Sequence, residues 1–397
     1  MKRDGWKNKR LKDVAPLQRG FDLTKANLCE GSVPVISSSG HWGYHNEAKV
    51  SGPGIVIGRY GTLGEVFFVQ EDFWPHNTTL WVTDFCGNDP NFVHYLYRSL
   101  DISKHSAKTG VPGLNRNDLH TLKIAVPPVP EQQKIAAILS TWDQAIELTE
   151  KLIAAKQKRK QALMQQLLTG KVRFKKFVKS KSRRNTPLGD MPTDWKLFRF
   201  GKIVKKIKRK NTVGEEHVLT ASGEFGLVDQ REFFNRSVAG ANLAGYYLLK
   251  RGEYAYNRSS MKGYPFGAIK RLNLYPQGVL STLYICFGIT HELCDSNYLC
   301  HFFEFRLLDR QLRGVTQVGG RAHGLLNITD SDFYSMKIVL PSFEEQQRIA
   351  AVLDTQDIEI GQLRKKLATL NDQKKGLMQQ LLTGKVRVNV DAETVKG

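Results

Sequence analysis

The chain has 397 residues, 41% hydrophobic and 24% charged, which suits two to three ordinary cores and excludes a disordered or low-complexity chain. No apolar run reaches the roughly 18 residues of a membrane span, and the first residues lack the apolar core of a secretion signal. Five cysteines without regular spacing argue against a disulfide framework, so a reducing cytoplasm is the expected compartment, and the net charge of +21 points to a polyanionic partner.

Along the chain, residues 1–130 carry short β-type runs broken by glycine turns and a net charge of +3. Residues 131–170 read as one long helix, with Pro127, Pro128 and Pro130 at its start and Gly170 where a left-handed C-terminal residue is wanted. Residues 171–192 form a basic linker: eight of the 14 residues from Lys171 to Arg184 are Lys or Arg and none is acidic. Solvation is its ordinary role and phosphate contact the functional alternative. Residues 193–344 form a second β-type block, and residues 195–340 hold the largest share of the excess charge, +9. A second long helix follows over 345–384, after Pro341 and ending at Gly384, and then a tail over 385–397.

The two helical segments are copies. Residues 127–173 and 341–387 align without a gap at an offset of 214, with 25 of 47 positions identical. Leu139, Trp142, Ile146, Ile153, Leu163 and Leu167 step by heptad spacing in the first. Leu353, Ile360, Leu363, Leu367, Leu370, Leu377 and Leu381 do so in the second. Thr149, Lys156 and Lys160 are polar steps in the first seam, and Gln356 and Lys374 in the second. Such a seam either pairs the two helices or binds another protein. Two copies in one chain, polar at the matching step of Lys160 and Lys374, favour the first. Each helix, some 38 residues, spans about 57 Å.

The blocks before the helices echo each other more loosely. Val35–Gly40 matches Val218–Gly223, Gly54–Arg59 matches Gly252–Arg258 with one insertion, Thr78–Val82 matches Ser281–Ile285, and Leu114-Asn115 matches Leu326-Asn327. A shared scaffold with unlike loops suggests two readers of different targets held by one spacer.

These features resemble the specificity subunit of type I restriction–modification systems. The carriers are Pro127–Ala137 and Pro341–Ala351, the repeated Leu-Leu-Thr-Gly-Lys-Val-Arg helix ends, and Val56–Gly64 followed by Phe73-Trp74-Pro75. The resemblance covers nearly the whole chain. It implies an α+β architecture: two α/β target-recognition domains of the same fold, joined by two long antiparallel coiled-coil helices in a pseudo-two-fold repeat. It implies double-stranded DNA as partner, each domain reading half of a bipartite asymmetric site. It also implies two modification subunits carrying adenine-N6 methylation with S-adenosylmethionine, and restriction subunits carrying the ATP- and Mg-dependent translocase and nuclease. Asn257–Gly263 departs from the Gly-Arg-Tyr-Gly-Thr pattern of the first block, as expected if this loop touches a different sequence.

The residues agree that the chain itself is not an enzyme and binds no cofactor. It has no G-x-x-x-x-G-K-[ST] loop. Asp89-Pro90-Asn91-Phe92 only faintly matches an adenine-methyltransferase loop and reads as a surface turn. Glu47-Ala48-Lys49 lacks the rest of a nuclease motif, and His291, Cys294, Cys300 and His301 fit no common zinc spacing, so no metal site is expected. Contacts to DNA need donors on loops that enter a groove. In the first block the candidates are Ser37, Ser38, His41, Arg59, Tyr60, Lys108 and Arg116. In the second they are Thr220, Ser222, Asn257, Arg258, Lys262, Arg313, Gln317, Arg321 and His323. A coiled-coil scaffold that organises proteins without reading DNA is the alternative, disfavoured by divergent basic loops on duplicated domains.

Overall fold

The computed structural model describes residues 5–105, 113–223, 225–234, 242–318 and 326–390. They form two compact units, 1–151 with 364–397 and 152–363. The long helices, Val129–Leu168 and Phe343–Leu381, are not bodies of their own: each gives one half to each unit.

The first unit is built on a four-stranded antiparallel sheet in the order Leu17–Arg19, Thr79–Val82, Gly54–Gly58, Val66–Val69. Alternation along the central strand decides what each face covers. Ile55 and Ile57 enter the main core with Phe92, Leu96, Ile135, Leu139 and Leu381, while Val56 enters a smaller cluster with Ile36, Val69 and Phe73. The second unit repeats the design: Val204–Lys206, Ile285–Ile289, Tyr254–Asn257, Ala268–Arg271. Tyr254 and Tyr256 face the main core with Phe287, Phe303, Phe333 and Leu353, and Ala255 faces the smaller one with Leu219 and Leu227. The unlike sequences therefore carry one scaffold, with aliphatic pairs in the first unit replaced by stacked rings in the second, such as Tyr254 on Phe287 at 5.4 Å.

Within each unit the start of one long helix lies against the end of the other, so the halves pair antiparallel. In the first unit Arg387 donates two hydrogen bonds to Glu131, at 2.8 and 2.9 Å, and Lys374 pairs with Asp143. In the second, Arg173 donates two to Glu345, both at 2.8 Å, and Lys160 pairs with Asp357 at 2.6 Å. The pairs are equivalent under the 214-residue offset, so each unit carries its own copy of the same helix lock. Trp6 and Trp195 each donate an indole N–H to the same glutamates, at 3.0 and 3.2 Å. Gln132 and Gln346 each accept a backbone N–H, from Asp89 and Asp295, both at 2.9 Å. Buried, paired lysines in a largely apolar seam fix register more than they add stability.

All thirteen seam residues are buried or half-buried. Their roles divide, however. Leu139, Leu167, Leu353 and Leu381 belong to the globular cores, so the helix ends serve as domain walls and the seam proper is shorter than its spacing implies. Gly170 and Gly384 have φ of +63° and +65°, the expected left-handed C-terminal conformation. A Cβ on Gly170 would lie 2.5 Å from Pro192, so glycine is also required for space.

Two expectations need correction. Asp89 is not in a surface turn: it caps helix Pro90–Ser99 by accepting the Phe92 amide at 2.8 Å, as Asp295 caps Ser296–Glu304. The 171–192 segment is more than a solvated linker. Arg183–Thr186 pairs with Gly189–Pro192, Arg173 is buried between Glu345 and Asp194, and Arg184 donates to the Trp195 carbonyl at 2.7 Å. These arginines are spent on the fold and not on phosphates.

His94 gives the first unit a measurable pH response. Burial, assisted by the Arg98 charge, lowers its pKa to about 4, so the folded unit holds it neutral while the unfolded chain protonates near 6.5. The unfolded state then binds more protons, and stability is lost as pH falls from about 6.5 toward 4. We expect His94→Leu to remove about 3 kcal/mol of the acid sensitivity of unfolding over that window. Identical pH profiles for variant and parent would contradict this.

Candidate nucleic-acid interface

In both units a hairpin tip converges on the loop that leaves the central strand. In the first, Val33–Ser37 and Gly40–His45 form the hairpin, and its tip residue Ser38 donates its amide to Thr78 Oγ1 at 3.3 Å. The Thr78 carbonyl accepts the amides of Arg59 and Tyr60 at 2.9 and 3.2 Å. A Cβ on Gly58 would collide with the Thr62 carbonyl oxygen and lie 3.1 Å from that of Ser38, so only glycine lets these segments cross. Arg59 stacks on Tyr60 at 4.5 Å, and both line a cleft with Arg19, Leu114 and Arg116. Arg116 is exposed, on the helix capped by Asn115.

In the second unit the hairpin is Leu219–Ser222 with Gly226–Asp229. The Gly223 carbonyl at its tip accepts from Lys270 Nζ at 2.8 Å and from the Tyr264 hydroxyl at 3.2 Å. Tyr264 belongs to the loop that follows Asn257, so the hairpin tip at Gly223 meets that loop at Tyr264, 41 residues further along the chain. Lys262 and Arg313 are exposed, with Arg313 over Phe266 at 5.3 Å.

The two arginines match despite the differing loops. The Arg59 carbonyl accepts the Leu114 amide at 3.0 Å, and the Arg258 carbonyl accepts the Leu326 amide at 2.7 Å. Arg59 Nε donates to the Leu114 carbonyl at 3.3 Å. Arg258 donates to the carbonyls of Leu283 at 2.7 Å and Ile328 at 3.3 Å. Each thus staples the loop to the returning chain. Arg59 and Arg258 hold the same place in the two scaffolds.

Other candidates are placed differently. Ser37, Thr220 and Ser222 are buried strand residues, and the Ser37 hydroxyl is taken by the Gly40 carbonyl at 3.0 Å, so they do not present donors to a groove. Asn257 accepts the Ser259 amide at 3.1 Å and shapes its own loop. His41 is exposed, its ring 4.6 Å from Tyr44. Gln317 is described only by its backbone, which pairs with Asn327. Lys108, Arg321 and His323 lie outside the described residues. Sequence reasoning missed Thr78, Tyr264, Lys270 and Arg306, which donates to the Gly263 carbonyl. Their roles depend on contacts 40 or more residues away, and no local signal marks them.

His291, Cys294, Cys300 and His301 are not gathered into a metal site. His301 bonds Asp354 at 2.8 Å and lies near Asp357, which Lys160 already engages. Burial pushes the Cys294 thiol up to about 12. Lys49 is paired with Glu47 at 2.6 Å and lies over the Trp74 ring. Among the described residues no helix is long and apolar enough to cross a membrane.

The architecture is a duplication: two like domains, each offering a loop cluster at the same place in the fold with different side chains. The type I restriction modification DNA specificity domain matches residues 3–156 and 192–372, and the chain belongs to that family, as a non-catalytic specificity subunit. It is 29% identical over 311 residues to the putative type I restriction enzyme MjaX specificity subunit of Methanocaldococcus jannaschii, covering 76% of this chain and 69% of that one. A putative type I specificity subunit of Mycoplasma pneumoniae is 24% identical, with 87% of each chain covered. Among solved structures, the type I restriction–modification S subunit from M. genitalium aligns over 95% of this chain and 96% of its own. It has a TM-score of 0.58 and 16% identity, a likeness of fold.

Proposed function

We propose that the chain reads a bipartite, asymmetric site in double-stranded DNA and docks two modification subunits and the restriction subunits of its complex. The observation that carries this is the paired loop cluster: Ser38 with Arg59–Gly64 in one unit and Gly223 and Phe225 with Arg258–Tyr264 in the other. The scaffolds are equivalent and the exposed chemistry differs, as two unlike half-sites require. The excess of positive charge in residues 195–340 suits phosphate contact. Lys202, Lys205, Lys208 and Lys210 are exposed there, whereas Lys206 and Arg209 are neutralised by Asp330 and Glu253.

S-adenosylmethionine, ATP and Mg belong in this reading to the partner subunits, and the complex works in the cytoplasm. The paired helices, each about 60 Å long, set the gap between the half-sites. The test is to map N6-methyladenine in DNA from cells expressing the chain with its modification subunit. A two-part motif with an unspecified gap is expected. One continuous motif, or none, would overturn the proposal.

A further inference from the structure

We propose that Phe225 reads a base in the second half-site, its ring seated against the C5-methyl of a thymine in the major groove. This rests on the DNA-reading function proposed above. Phe225 is 59% exposed at the tip of the Leu219–Asp229 hairpin. A single exposed phenylalanine is ordinary on any protein surface, so exposure alone carries nothing. Its placement does. The equivalent tip of the first unit presents Ser38 and Ser39, and both tips are tied to the loop that leaves the central strand.

The tip is also held in place. The Phe225 amide donates to Ser222 Oγ at 3.2 Å, and Lys270 and Tyr264 anchor the Gly223 carbonyl from the other side. The backbone on both sides of the ring is thus held, so less of the chain has to be ordered when the ring makes contact. The groups around the neighbouring loop are basic: Lys262 is exposed, Lys270 is bonded to Tyr264, and Arg306 holds Gly263. That charge favours a polyanion over an acid-poor protein surface. On the base edges of the major groove the thymine methyl is the one apolar group, and phenylalanine is among the side chains that read it.

The experiment uses the complex of this chain with its modification subunits and duplexes bearing its mapped site. Each thymine is replaced in turn by uracil, which removes only the methyl. At one position in the second half-site the parent should bind about 3- to 10-fold more weakly on replacement. F225A should already have lost that factor and be indifferent to the replacement, F225L should retain part of it, and the first half-site should respond alike in all three. The inference is overturned if the second half-site holds no thymine, or if parent and F225A respond alike everywhere. It is also overturned if F225A weakens assembly with the modification subunits instead, which would make the ring a protein contact. A parent complex with no sequence preference at all would overturn the DNA-reading function itself, whatever Phe225 does.

Discussion

Glu345→Ala should destabilise the second unit by about 3–5 kcal/mol, the cost of stranding a buried charge. Glu345 is 1% exposed and the Arg173 side chain 7%. The substitution removes both acceptors of the Arg173 fork and the acceptor of the Trp195 indole. Asp194 still holds one edge of the guanidinium, at 2.7 and 2.9 Å, which keeps the loss at the lower end of that range. The offset repeat supplies an internal control. In the first unit Arg387 is 41% exposed, so water can replace Glu131, and Glu131→Ala should cost only about 1–3 kcal/mol. Amide exchange separates the two, since the first variant should accelerate exchange in 152–363 and the second in the other unit. Equal losses in both units would show that burial of the arginine does not set the cost. Arg173→Met and Glu345→Met together with Asp194→Asn should be milder than Glu345→Ala, because no charge of the cluster is then left alone.

Arg59→Ala should abolish base preference across the whole first half-site while leaving the second intact, and Arg258→Ala should do the reverse. Both guanidinium groups donate to main-chain carbonyls of the returning strand, so their removal frees a loop and not a single contact. A lost charged hydrogen bond of this kind is worth about 1.5–3 kcal/mol, or roughly 10- to 150-fold in affinity. Lysine should not rescue Arg258, because one ammonium cannot serve the separated Leu283 and Ile328 carbonyls as the planar fork does. Binding to a panel of single-base variants decides this. Relaxation at one guanine with every other position intact would instead make the arginine a direct reader.

Much of the fold was legible because the duplication left its two helices nearly identical. The gap-free offset from Glu131 to Glu345 locates both helix starts, and Gly170 and Gly384 mark both ends. Heptad spacing predicts which positions are buried, yet it cannot tell Leu139, which enters a globular core, from Ile153, which does not. The loop clusters were legible only in part. Arg59 and Arg258 stand out as donors after a strand. That they spend those donors on Leu114, Leu283 and Ile328 follows from chain returns 25 to 70 residues away. Ser37, Thr220 and Ser222 were drawn to the interface by their polarity. Strand pairing buries them, and the exposed tip falls instead to Ser39 and Phe225. Asp89 shows a local failure: an Asp-Pro pair reads as a turn, whereas its carboxylate caps Pro90–Ser99 through the Phe92 amide, and its own amide is tethered to Gln132 on the long helix.

The central claim is that each unit reads its own half of the site, and exchange of one reader tests it most directly. Residues 195–340 would be replaced by the matching block of a related specificity subunit, and N6-methyladenine mapped in cells expressing the hybrid with the modification subunit. The predicted result is a motif whose one half is unchanged and whose other half is new. Alteration of both halves together, or of neither, would contradict the account.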